Sequence, residues 1–257
     1  MKYKSLFDCD FSKDNSPIDY NASLEDVLKD VVSVDKMGSE IGRSKGLALG
    51  ASRIVKGILE YKISNPETKD IVGVVNSSLK TASDIYSGES CGKTVDYFKS
   101  FLQGSGNEKA LNTMVSQPND DVSWEYSSGN FSSKVVDSFP AFGFDKESLL
   151  FLILGNGGIM PGIDVFLRAK DNYNLKDSVA YPVRFSRLKK EDQFPQLDSS
   201  ELEYLKDQAK DKSVIVFDED MRSGRTIKKA KDFFRSVLEK PKIIQFTNSH
   251  NYKSFLA

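Results

Sequence analysis

The chain has 257 residues, enough for one large domain or two small ones, and for a sizeable core without disulfide or metal staples. Its 36 basic and 37 acidic residues give a formal net charge of -1, which points to neither nucleic acid nor an anionic membrane as a global partner. Two cysteines, Cys9 and Cys91, are too few for a disulfide framework, and a single histidine, His250, argues against a His-based metal site or a Ser-His-Asp triad.

Met1 to Asp10 is charged and lacks the apolar run of a signal peptide. The longest apolar run, Leu149 to Leu154, is too short to span a bilayer. A cytoplasmic protein with no membrane partner is expected.

The first half reads as mostly helical. Ser23 followed by Asp26 looks like a capping box, with Leu24, Val27, Leu28 and Val31 then sharing one helical face. Leu47, Ala51, Ile54, Val55 and Ile58 make a second stripe, Val95, Phe98 and Leu102 a third, and Leu111, Met114 and Val115 a weaker fourth. The short apolar run Ile71 to Val75 reads as a strand. Val122 to Val136 reads as a hairpin, with Trp124 and Tyr126 on one side, Phe131 and Val135 on the other, and Ser-Gly-Asn at its turn.

The second half changes character. Strands are expected at Leu149 to Leu154, Val179 to Phe185, Val214 to Phe217 and Ile243 to Thr247, with Pro182 marking the second as an edge or bend. Helices are expected at Pro161 to Ala169, Ser200 to Ala209 and Gly224 to Leu238. This alternation predicts a mainly parallel sheet flanked by helices, with ligands bound at the carboxyl ends of its strands. The predicted fold class is therefore α/β, with a largely helical N-terminal region at 1–135 and an α/β domain at 136–257.

The stretch Val214-Ile215-Val216-Phe217-Asp218-Glu219-Asp220-Met221-Arg222-Ser223-Gly224-Arg225-Thr226 carries the chemistry. Four apolar residues make a buried strand, two carboxylates stand at its end, and a small-residue turn opens the next helix. Unsatisfied N–H groups and the dipole at a helix N-terminus suit a phosphate. Gly224 lets backbone approach closely, and Ser223 and Thr226 add hydroxyl donors. Asp218 and Glu219 suit vicinal ribose hydroxyls and, directly or through water, Mg2+.

This segment resembles the thirteen-residue signature of the type I phosphoribosyltransferases. The resemblance implies that Asp218 and Glu219 bind the ribose hydroxyls and that Arg222, Ser223, Gly224, Arg225 and Thr226 wrap the 5-phosphate. Leu149 to Leu154 runs into Gly155-Asn156-Gly157-Gly158, which looks like the family's diphosphate-binding loop. Between the two lies Arg184-Phe185-Ser186-Arg187-Leu188-Lys189-Lys190, where the family carries a lid. The resemblance puts Asn156, Gly157, Gly158 and Arg184 on the diphosphate, makes Asp218, Glu219 and Arg187 catalytic, and makes Asp218 and Glu219 the metal ligands. It covers the C-terminal half only.

Arg222 stands where some purine-salvage members have an aspartate base, which disfavours that subtype. Asp220 replaces a usually apolar residue, without evident reason. Tyr252 or Phe255 is a candidate to stack on a base, with Trp124 and Tyr126 as rivals. Gly88 to Thr94 is one residue short of a P-loop and follows no apolar strand, and Met160 spoils a dinucleotide fingerprint at Gly155.

The expected function is binding of 5-phosphoribosyl diphosphate and transfer of its phosphoribosyl group to a nitrogenous acceptor, with release of diphosphate and a requirement for Mg2+ (magnesium). The alternative is a non-catalytic protein sensing nucleotide or phosphoribosyl diphosphate. Family members often dimerise, so the resemblance makes a homodimer a candidate assembly, while the sequence itself leaves the oligomeric state open.

Overall fold

A computed structural model describes residues 3–8, 20–117, 129–155, 157–185, 194–219, 225–240 and 243–247. The chain divides into two compact units, Met1–Asp121 and Val122–Ala257. Among the described residues, no helix is long and apolar enough to cross a membrane.

In the first unit, strand β1 (Tyr20–Ser23) leads directly into helix α1 (Leu24–Val34). Ser23 is the N-cap, its Oγ accepting from the Asp26 N–H at 3.2 Å. The predicted stripe Leu24, Val27, Leu28 and Val31 is buried. Helix α2 (Glu40–Ser64) runs antiparallel against it, and its glycines set the spacing. A β-carbon on Gly46 would stand 2.7 Å from Val34, one on Gly50 would collide with Val31, and one on Gly57 would meet Leu24 at 3.0 Å. The Arg53 guanidinium of α2 stacks on the Tyr20 ring, 3.8 Å from its centroid, while the Tyr20 hydroxyl donates to Asp30 at 2.8 Å.

Ile71 to Val75 is not a strand but the first turns of helix α3 (Ile71–Tyr86), capped by Asp70, whose carboxylate accepts from the Gly73 N–H. Burial continues through Val74, Val75, Ser78, Leu79, Ala82, Ile85 and Tyr86, a helical period that a five-residue window conceals. The Gly88 turn then leads into α4 (Cys91–Gly104), where Val95, Phe98 and Leu102 are buried as their spacing predicts. Leu111, Met114 and Val115 share no helix. Leu111 lies in a 3-10 turn (Glu108–Asn112), and the other two lie in strand β2 (Met114–Gln117), antiparallel to β1. Met114 points out and Val115 points in, the alternation of a pleated strand.

The second unit begins, in its described part, with helix α5 (Gly129–Asp137), so the expected hairpin is corrected there. Val135 and Val136 are both fully buried, which suits a helical face and defeats the alternation of a hairpin. Residues 122–128, with Trp124 and Tyr126, lie outside the described residues. A 3-10 turn (Phe139–Phe142) follows, and Phe139, Phe142 and Phe144 pack around Phe246 at ring-centroid distances of 5.2 to 6.2 Å.

The core is a four-stranded sheet built from β3 (Leu149–Gly155), β4 (Val179–Arg184), β5 (Ser213–Asp218) and β6 (Ile243–Thr247). The order is β4-β3-β5-β6 and every pairing is parallel. β4 is an edge strand, which is where Pro182 is tolerated. All seven residues of the inner strand β3 are buried, as a continuous apolar run requires. Each Leu, Ile or Phe of that run contributes about 1.5–3 kcal/mol of burial.

Helices α6 (Ile159–Asn172), α7 (Ser199–Ala209) and α8 (Arg225–Val237) join the strands. α6 covers one face, where Phe166 packs on Phe151 and Gly162 nestles against Ile153 and Phe217. α7 covers the other face, where Tyr204 packs on Tyr181. Right-handed crossovers demand this arrangement, because the chain first steps from β3 to β4 and then reverses to β5 and β6. The reversal makes the gap between β3 and β5 a topological switch point.

Candidate functional site

Two segments meet at the carboxyl edge of the switch point. From β3 the chain passes through Gly157 and Gly158 into α6. From β5 it ends in Asp218 and then Glu219. The β3–β5 register sets Ile153 opposite Phe217, so two places further on Gly155 is level with Glu219.

The glycines are demanded by this approach. A β-carbon on Gly158 would stand 2.5 Å from the Leu154 carbonyl oxygen and 3.3 Å from the Asp218 Cα, both backbone atoms. A β-carbon on Gly157 would collide with the Glu219 carboxylate. Gly158 is also the N-cap of α6 and has no side chain to cap it. The first-turn amides of a helix have no intrahelical partners, and Pro161 in that turn forgoes an N–H that the helix does not use. The N-terminal mouth of α6 therefore opens beside two carboxylates.

The carboxylates differ. Asp218 is half-buried, and its Oδ1 accepts from the Glu219 N–H at 3.0 Å. Glu219 Oε2 is buried with no hydrogen-bond partner among the described residues. A buried carboxylate oxygen without a donor is costly, so this atom is suited to a ligand hydroxyl.

Arg184 ends β4 on the other side of β3, in register with Gly155, and is 4% exposed. Its carbonyl accepts from the Gln196 N–H at 2.8 Å in an isolated antiparallel bridge, so the chain leaving β4 returns to the same place at Gln196. On the far side Thr247, 2% exposed, ends β6 opposite Asp218. Sequence reasoning passes over Thr247; its position at the end of an apolar strand is the available signal.

Arg225 is the first residue of α8 and is exposed, and Thr226 is half-buried beside it. Asn156, Arg187, Arg222, Ser223 and Gly224 lie outside the described residues, as do Asp220, Tyr252 and Phe255. The structure thus brings together Gly157, Gly158, Asp218 and Glu219, flanks them with Arg184, and starts α8 six residues after Glu219.

Among the described residues no three His, Cys, Asp or Glu side chains cluster as a metal cage. Mg2+ does not need one, because it keeps several waters and binds through one or two carboxylates together with substrate phosphates. Asp218 and Glu219 fit that mode. Comparison with family models, with curated proteins and with solved structures finds no match to this chain.

Proposed function

We propose that the protein binds 5-phosphoribosyl diphosphate and transfers its phosphoribosyl group to a nitrogenous acceptor, releasing diphosphate. The observation that carries this reading is the packing of Gly157 and Gly158 against Asp218 and Glu219 at the sheet's switch point. It sets an anion-binding loop and a pair of hydroxyl acceptors side by side, as a molecule with diphosphate on one carbon of a ribose and hydroxyls on the next two requires. Asp218 and Glu219 would take those hydroxyls. The loop into α6 would hold the diphosphate, with Arg184 alongside. Residues 222–226 would take the 5-phosphate at the mouth of α8.

Mg2+ would be held by Asp218 and Glu219 together with diphosphate oxygens, where it makes diphosphate a better leaving group. The chain's own part is to fix both ends of the sugar and to face the developing positive charge on the ribosyl ring with carboxylates.

Isothermal titration of phosphoribosyl diphosphate in the presence of Mg2+ tests the reading. Saturable binding is expected, with affinity reduced at least about tenfold in Asp218→Asn, a loss of about 1.4 kcal/mol. That variant keeps an oxygen for the Glu219 N–H and loses only the charge. Absence of binding to the wild type refutes the reading. Diphosphate release on addition of candidate acceptors then separates a transferase from a sensor.

A further inference from the structure

The Glu219 side chain lies back across the loop that follows β3. Its Cδ and both carboxylate oxygens crowd the place where a β-carbon on Gly157 would stand, so the whole carboxylate rests on the Gly157 backbone. One residue further on, Gly158 caps α6. A carboxylate there meets the positive end of a fourteen-residue helix. Its Oε2 is nonetheless buried with no hydrogen-bond partner among the described residues. Among the described residues the group is therefore held by position and field, and Oε2 has no donor.

We infer that Glu219 is an internal stand-in for the diphosphate: its carboxylate occupies the Gly157–Gly158 loop and must leave before an external diphosphate can enter. The inference rests on the proposed ligand and adds the regulation of its site. Two anions cannot share the loop, since like charges at contact repel and the space is already filled. Displacement frees Oε2 to accept from a ribose hydroxyl, which relieves its burial without a donor. A ligand carrying both diphosphate and ribose recovers what it spends in displacing Glu219. Inorganic diphosphate alone does not, because it offers no hydroxyl in return. The device thus favours the intact substrate over the released product.

The test is titration of inorganic diphosphate, without added metal, into wild type, Glu219→Asp and Glu219→Ala. Aspartate keeps the charge but shortens the arm by one methylene, so it no longer reaches Gly157. Occupation of the loop predicts that both variants bind diphosphate more tightly than wild type, by roughly tenfold or about 1.4 kcal/mol. A simple charge effect would tighten Glu219→Ala and leave Glu219→Asp unchanged, which overturns the inference. So does a failure of all three proteins to bind diphosphate. In that case phosphoribosyl diphosphate, titrated into the wild type with Mg2+, shows whether the proposed function falls too.

Discussion

Gly158 and Asp218 sit so close that a β-carbon on the glycine would stand 3.3 Å from the aspartate Cα. Gly158 caps the helix that follows β3, Asp218 ends the adjacent parallel strand β5, and the two are sixty positions apart in the chain. The β3–β5 register sets the two strands side by side, and the turn after β3 brings Gly158 back to the Asp218 backbone, which fixes how near the mouth of α6 lies to the two carboxylates. Nothing flexible separates the glycine from the Leu154 carbonyl and the Asp218 backbone.

Gly158→Ala and Gly157→Ala should therefore differ. The methyl at 158 meets backbone that cannot give, and the loop must shift. Overpacking of this kind costs about 1–3 kcal/mol. Urea unfolding should show that loss, and binding of phosphoribosyl diphosphate should fall at least about tenfold, or about 1.4 kcal/mol. The methyl at 157 meets the end of the Glu219 side chain, which can swing aside. Gly157→Ala should keep its urea midpoint close to wild type. Equal destabilisation of the two would show that the 158 approach is not special.

The parallel sheet and its helices are legible in strands such as Leu149 to Leu154, because a strand buried on both faces must be apolar throughout. The meeting of the glycine-bearing and acid-bearing turns is legible too, since each follows directly on a strand. Ile71 to Val75 is ambiguous because a short β-branched run looks the same in a strand or in a helix's first turns, and only the later Leu79, Ala82 and Tyr86 reveal the period. Phe131 and Val135 mislead for a related reason: an i, i+4 pair also fits alternation. The folding of Glu219 back onto Gly157 has no sequence signal at all. It depends on strand register, which no local pattern encodes.

Gly50 and Gly92 offer a matched comparison of two opposing effects. Replacing a helical glycine by alanine gains about 1 kcal/mol of helix propensity where there is room. Gly92, in the first turn of α4, has nothing within 4 Å of where an added methyl would stand, so Gly92→Ala should raise the thermal midpoint. At Gly50 the methyl collides with Val31 in the α1–α2 interface. Overpacking at about 1–3 kcal/mol outweighs the propensity gain, and Gly50→Ala should lower the midpoint. Calorimetry of the two variants decides; a rise in both would mean that α1 yields easily.

Cys91 should be inert in the folded protein. Burial, and then the Asp35 carboxylate beside it, push its thiol up from 9.0 to about 12. Asp35 itself stays ionised because Arg43 donates to it at 2.6 Å. At pH 8 a shift of that size lowers the thiolate fraction about a thousandfold, and the thiolate is the reactive species. In a Cys9→Ser background, iodoacetamide should leave Cys91 unmodified until urea unfolds the chain. Fast native labelling would contradict the burial.

Tyr181 and Glu201 tie the sheet to α7 through one carboxylate. The buried tyrosine hydroxyl donates to Glu201 Oε1 at 2.8 Å, and Glu201 Oε2 accepts from the Asp198 N–H at 3.0 Å. Asp198 returns the bond, its Oδ1 accepting from the Glu201 N–H at 2.8 Å, which completes the capping box. Burial first, and then the Glu201 charge, raise the Tyr181 hydroxyl well above its ordinary 10.0. The folded state therefore holds that proton when the unfolded state releases it. Stability from this group is whole below about pH 10 and is lost as pH climbs toward the folded value. Tyr181→Phe leaves Glu201 Oε1 buried without this donor, at a cost of about 1–3 kcal/mol near neutral pH. Urea midpoints measured from about pH 7 to about pH 11 should show the variant below wild type at neutral pH, with the gap narrowing above about pH 10. A constant gap would mean that the tyrosine keeps its proton no better folded than unfolded.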